Sequence, residues 1–139
     1  MASTSVSRVL PASPQQVWDL IGGFDALPDW LPFIRESTPL EGGRVRRLTN
    51  PDGDVITERL IAYSEAERSY SYAIVDAPFP VTGYLSTLRV HPVAGRDDVA
   101  EVQWSGRFTP DGVSDAEAED LFAGIYRDGL EALRETLTA

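Results

Sequence analysis

Few residues of this 139-residue chain are equipped for chemistry, and strand parity groups most of them. In VITERLIAY, Ile56, Glu58 and Leu60 alternate with Thr57 and Arg59, so a strand there turns the Glu58 carboxylate to the same side as two aliphatic side chains. The same alternation sets Tyr70, Tyr72 and Ile74 on one face of the next strand, and Val102, Trp104 and Phe108 on another. A carboxylate among such walls costs several kcal/mol unless paired, so either its pKa rises or a cation meets it. Asn50-Pro51-Asp52-Gly53 supplies the register: it fits a type I turn closing a three-residue hairpin loop, which sets Arg46 opposite Glu58 and Leu48 opposite Ile56. A two-residue loop sets Arg47 there instead; the turn residues favour Arg46.

Such a pair is compatible with general-base chemistry. Glu58 would take an acidic α-proton, and Arg46, Tyr72 or Tyr84 would hydrogen-bond the developing enolate, with no cofactor. It is equally compatible with a structural cross-strand ion pair on a solvated face. Tyr72, Tyr84 and Trp104 are likewise either core or ligand contacts, since hydroxyl and indole N–H groups need partners that a polar ligand or water can supply.

Other reactive constellations are thin. No cysteine is present, which removes disulfides, thiolate metal sites and thiol nucleophiles, and the lone His91 before Pro92 reads as a surface residue. No metal site is expected. Ser86 and Ser105 lie outside any G-x-S-x-G elbow. All twelve basic residues are arginine, so Schiff-base and pyridoxal chemistry are excluded. Asp115, Glu117, Glu119 and Asp120 crowd a helix start and read as solvated, while Arg44, Arg46 and Arg47 alternate between faces and form no phosphate patch.

These residues need a scaffold. SVSRVL alternates as a strand, and Ser13-Pro14-Gln15-Gln16 places an N-cap, a first-turn proline and a capping-box partner in order, opening a helix with Val17, Leu20 and Ile21 on one stripe. Gly22-Gly23 ends it; residues 25–30 make a further turn before Pro32 forces extension, so two short helices joined at a glycine hinge are expected. Strands are expected from Ile34 onward, including 55–63, 68–75, 82–91 and 99–108, in an antiparallel meander. A second capping box at Ser114-Asp115-Ala116-Glu117 opens a helix of about 24 residues, with Ala118, Leu121, Phe122, Ile125, Gly129, Ala132, Leu133 and Leu137 along one face. Gly129 costs that helix about 1 kcal/mol relative to alanine, repaid by close packing or by room for a ligand.

The fold class is therefore α+β: a sheet and a long helix can bury their apolar faces only against each other, and the apolar but proline-broken residues 18–34 cover the gap between them. Length fits one domain over residues 1–139. A net charge of -10 argues against nucleic acid and anionic lipid as partners. Neither a leader pattern nor a membrane span is legible, so a cytoplasmic protein without membrane insertion is expected; a homodimer stays open.

Val17-Trp18, Phe24-Asp25, Trp30-Leu31-Pro32-Phe33-Ile34, Thr57-Glu58-Arg59-Leu60, Tyr72-Ala73-Ile74 and Tyr84 together resemble, nearly end to end, the SRPBCC (START-like) superfamily, in its bacterial polyketide cyclase/dehydrase and lipid-transport group. The resemblance implies a helix-grip fold, with a curved antiparallel sheet around the C-terminal helix, a deep apolar cavity between them and two short helices closing one end. The middle of the chain is similar to the plant abscisic-acid receptors, whose ligand-facing residues fall on Glu58, Tyr72, Tyr84, Ser86 and Phe122. Their carboxylate-binding lysine falls on Leu31, which argues against any ligand held by a buried ammonium. Their gate and latch loops fall on 50–53 and 76–81, the latter without the latch's own residues. The implied ligand contacts are Trp30, Glu58, Tyr72, Tyr84, Ser86, Trp104, Phe122 and Tyr126, with Glu58 and Arg46 catalytic only if the protein is an enzyme. The expectation is a binder or carrier of a small hydrophobic molecule, aromatic, polyketide-like or lipid-like; the alternatives are a cofactor-free cyclase or dehydratase and a protein-interaction role.

Overall fold

The computed structural model describes residues 2–139. Seven antiparallel strands form one sheet in the order β1-β7-β6-β5-β4-β3-β2: β1 Ala2–Leu10, β2 Glu36–Leu40, β3 Val45–Thr49, β4 Val55–Ser64, β5 Ser69–Asp76, β6 Val81–Val93 and β7 Arg96–Pro110. Helix α1 spans Pro14–Ile21 and α2 spans Asp115–Thr138, each opened by the capping box expected from its sequence, at Ser13 and Ser114. The sheet curls around α2, which packs on β1 and β7. This is the helix-grip arrangement.

Topology explains the cover. β1 and β2 follow one another in the chain but occupy opposite edges of the sheet, so residues 11–35 must cross its concave face. α1 makes the first part of that crossing, with Val17, Trp18 and Ile21 buried. The second short helix is a single 3-10 turn at Leu27–Asp29, because Pro28 suits a first turn only and Pro32 ends any continuation. Leu27, Trp30, Leu31 and Ile34 are buried beneath this segment.

Irregularities help to curve the sheet. The β4–β5 pairing shifts register between Thr57 and Glu58 and again between Leu60 and Ala62; β6–β7 shifts between Thr82 and Leu85, where Gly83 has φ 59°. The β3–β4 hairpin closes over Pro51-Asp52-Gly53, with Gly53 at φ 85° and its N–H donating to the Asn50 carbonyl. Arg46 consequently faces Glu58, and Leu48 faces Ile56.

The expected stripe on α2 needs correction. Its buried residues are Ala118, Phe122, Tyr126, Gly129, Leu130 and Leu133, while Leu121 is 37% exposed. The core-facing line runs through 118, 122, 126 and 129/130, and Leu121 falls beside it. Gly129 is settled as close packing: a Cβ there would lie 2.6 Å from Trp104 Cζ3 and 3.1 Å from Leu31 Cδ2.

Candidate functional site

Between sheet, α2 and the crossing segment lies a cavity of about 400 Å³. Leu27, Leu31, Phe33 and Ile34 cover it; Leu48, Ile56, Ile74, Tyr72, Tyr84 and Trp104 line the sheet side, and Phe122, Ile125 and Tyr126 line the helix side. Exposed Pro51 and Asp52 and half-buried Phe33 and Phe79 mark the mouth, so the 50–53 and 76–81 loops both reach it. The deep wall is closed by two charges, Arg46 and Glu58, 1% and 6% exposed.

Arg46 is held from several sides. Its Nε donates to Glu58 Oε1 at 2.8 Å, and Nη2 lies 2.7 Å from the same oxygen. Nη1 donates to the Phe24 carbonyl at 2.8 Å and to the Tyr70 hydroxyl at 3.4 Å. The guanidinium carbon stands 4.1 Å from the Phe24 ring centre, 4.8 Å from Tyr72 and 5.6 Å from Tyr70, a three-ring cage suited to a desolvated cation. Burial works against its charge, but the Glu58 carboxylate and Tyr70 and Tyr72 more than offset this and hold its pKa above the ordinary value. For Glu58, burial pushes the carboxyl above its ordinary value, and Arg46 opposes that rise.

Both Arg46 contacts with Glu58, the Nε hydrogen bond and the Nη2 ion contact, fall on Oε1. Oε2 receives no donor among the described residues, yet it is not one of their enclosed unpartnered atoms, so it opens on the cavity. The aromatic side carries a chain of hydroxyls whose protons can be traced. Trp104 Nε1, a donor only, gives to Tyr72 Oη and Ser86 Oγ at 3.1 Å each. Ser86 donates to the Ser105 carbonyl at 2.8 Å. Its single proton being used there, the 3.5 Å contact with Tyr126 runs from Tyr126 to Ser86, and Tyr84 in turn donates to Tyr126. The Tyr72 proton alone in this chain makes no hydrogen bond within 3.5 Å among the described residues, although the neighbouring Ser86 hydroxyl partly offsets the rise that burial gives its pKa. Burial raises all three phenols, Tyr72 and Tyr84 well above the ordinary value and Tyr126 to about 12, so each is a neutral donor near pH 7.

Six of the eight expected ligand contacts, Glu58, Tyr72, Tyr84, Trp104, Phe122 and Tyr126, lie on the cavity wall. Trp30 and Ser86 do not. Trp30 sits behind Trp104, ring centres 5.8 Å apart, because Trp104 occupies the space over Gly129; its Nε1 is buried without a partner among the described residues. Ser86 points inward but is covered by the indole N–H and Tyr126 hydroxyl that it receives. Trp18 turns away from the cavity to the Glu65 carboxylate, 2.8 Å from Nε1. His91 lies on the outer face against Gln103, at 2.9 Å. Phe24 escaped the sequence reading because its contribution is partly a backbone carbonyl. Phe79, an aromatic flanked by two prolines at the mouth, was the more legible omission.

The model for the family described as polyketide cyclase / dehydrase and lipid transport matches residues 1–138. Among solved structures, the protein XoxI from Bacillus cereus is 56% identical with a TM-score of 0.94, covering 97% of this chain and 94% of that one. An uncharacterized protein from Bacillus thuringiensis is 52% identical with a TM-score of 0.97, covering 99% and 100%. The di-domain ARO/CYC BexL, from the BE-7585A biosynthetic pathway, shares the fold at 19% identity and a TM-score of 0.86; this chain is covered over 99% and spans 47% of it. No curated protein matches.

Proposed function

The chain belongs to the polyketide cyclase / dehydrase and lipid transport family of the SRPBCC superfamily, and from that premise we propose that it binds and carries one small, mainly apolar molecule in its internal cavity. The observation that carries the reading is the cavity itself: apolar and aromatic walls, a mouth formed by loops, and, inside that mouth, charge confined to the Arg46–Glu58 corner. That composition suits a ligand desolvated over most of its surface and oriented by a few polar groups. At about 400 Å³ it falls within the usual range for small-molecule sites. No helix among the described residues is long and apolar enough to cross a membrane.

The second reading, a cofactor-free cyclase or dehydratase, is favoured by one feature: Glu58 pairs a burial-raised carboxyl with a cavity-facing oxygen, the attributes of a general base. Against it stands Arg46, whose Nε and Nη1 donate to protein groups and whose Nη2 is paired with the Glu58 carboxylate itself. Tyr72 is the remaining hydroxyl donor for that role.

The test is uptake of Nile red, a neutral environment-sensitive dye, by the folded protein, together with native mass spectrometry of protein purified from its own host. One dye per chain, displaced by aromatic or fatty competitors, is the expected result. A folded protein that takes up no dye and carries no retained molecule overturns the carrier reading. Turnover of poly-β-carbonyl substrates, abolished by Glu58→Gln, would move the assignment to the enzyme.

A further inference from the structure

Beside the Arg46 cation, the polar corner offers a ligand one hydroxyl proton and one lone-pair site. Every other donor in the hydroxyl chain is committed: Trp104 to Tyr72 and Ser86, Ser86 to Ser105, Tyr126 to Ser86 and Tyr84 to Tyr126. Arg46 donates to Glu58 Oε1, Phe24 and Tyr70. What remains is the Tyr72 O–H, Glu58 Oε2 and Arg46 Nη2, whose 2.7 Å contact with Oε1 is an ion pair and leaves it an N–H to spare. Glu58 pairs with Ile74 and Leu60 with Tyr72, so Glu58 and Tyr72 are diagonal neighbours on the inner face, with no hydrogen bond between them. We propose, resting on the carrier reading above, that the cavity selects a neutral aromatic or alicyclic ligand bearing a hydroxyl group, which donates to Glu58 Oε2 and accepts from the Tyr72 hydroxyl.

A single hydroxyl satisfies both groups because it is donor and acceptor at once. Other head groups leave one of them unpaired. A carboxylate brings a second anion against Oε2, and the one nearby cation is already engaged. An ammonium can serve Glu58 but has no lone pair for Tyr72. An ether or hydrocarbon leaves the buried carboxylate oxygen without a donor, and an unmet hydrogen bond to a charged group is expensive. The selectivity therefore comes from which partners are left unsatisfied, while the apolar walls supply the affinity common to all four classes.

The experiment is Nile red displacement from the intact protein by four probes sharing one ring system: 2-naphthol, 2-methoxynaphthalene, 2-naphthoate and 2-naphthylmethylammonium. Naphthol should bind at least about tenfold more tightly than the methyl ether, with the carboxylate weakest. In Glu58→Gln, where the carboxamide oxygen stays toward Arg46 and its NH2 faces the cavity, the preference should invert in favour of the ether. Tyr72→Phe should weaken both naphthol and ether and keep naphthol ahead, which supplies a second variant if Glu58→Gln fails to fold by circular dichroism. Equal affinities for naphthol and ether in the wild type, with dye still bound, overturn the hydroxyl proposal and leave the carrier reading standing. Failure of folded protein to bind dye or any probe overturns both.

Discussion

Replacing Arg46 by methionine isolates the charge at the deep end of the cavity. Methionine fills much of the same volume among Phe24, Tyr70 and Tyr72, so the dominant loss is electrostatic and the carboxylate loses the cation touching Oε1. Breaking a buried pair from one side costs about 3–5 kcal/mol. The pH dependence gives the cost its signature. Burial raises the folded pKa of Glu58, so the neutral acid's advantage is fully present below the unfolded value and is lost as pH rises through the folded one. Arg46 limits that rise; without it the folded pKa climbs further, and the variant goes on losing stability at pH values where the wild type has finished. The gap between the proteins opens between their two folded pKa values, by about 1.36 kcal/mol per unit of separation.

Urea unfolding from pH 4 to 9 measures this gap. With a slope of about 2 kcal/mol/M, a cost of 4 kcal/mol moves the midpoint by about 2 M at the alkaline end, and the shift should shrink toward pH 4. NMR titration of the Glu58 carboxyl should show the same displacement toward higher pH. A midpoint difference constant with pH, or identical titrations in the two proteins, would falsify the electrostatic account and reduce Arg46 to a packing residue.

Gly129→Ala places a methyl 2.6 Å from the Trp104 ring; the indole must shift, and a loss of about 1–3 kcal/mol in thermal unfolding should accompany altered Nile red affinity. Ser114→Ala removes the oxygen that accepts from Glu117 N at 3.1 Å and should cost about 1 kcal/mol without affecting dye binding. Residues 27–34 and the loops carrying Pro51 and Phe79 border the cavity, so their amide exchange should slow on binding 2-naphthol, whereas α1 should change little; uniform exchange across both would mark the cover as static.

Legibility in the sequence followed the range of the physics involved. Capping boxes, turn chemistry and parity act over a few residues, so both helix starts, the Pro51-Asp52-Gly53 loop and the Arg46–Glu58 register could be read directly. Trp30 went astray for the opposite reason. Its place depends on Trp104 occupying the space over Gly129, a contact among three distant segments that no local pattern encodes. The engagement of Arg46 by the Phe24 carbonyl is equally non-local. The same holds for Ser86: inward parity was legible, but its coverage by Trp104 and Tyr126 requires the assembled core.

Stability alone is a poor reason for the charges at the cavity floor. A buried ion pair is often matched or exceeded in stability by apolar residues of similar volume, so Arg46→Met/Glu58→Met should unfold within about 1 kcal/mol of the wild type, or later, although Arg46→Met alone is costly. What the double variant lacks is an oriented oxygen. In the wild type, Arg46 takes Oε1 and is itself fixed by a carbonyl and three rings, and this leaves Oε2 without a protein donor on the inner face that Glu58 shares with Tyr72. The double variant should therefore still bind Nile red but lose the preference of 2-naphthol over its methyl ether. Retained preference would mean that Tyr72 or the cavity shape discriminates, and that the pair serves the fold rather than the ligand.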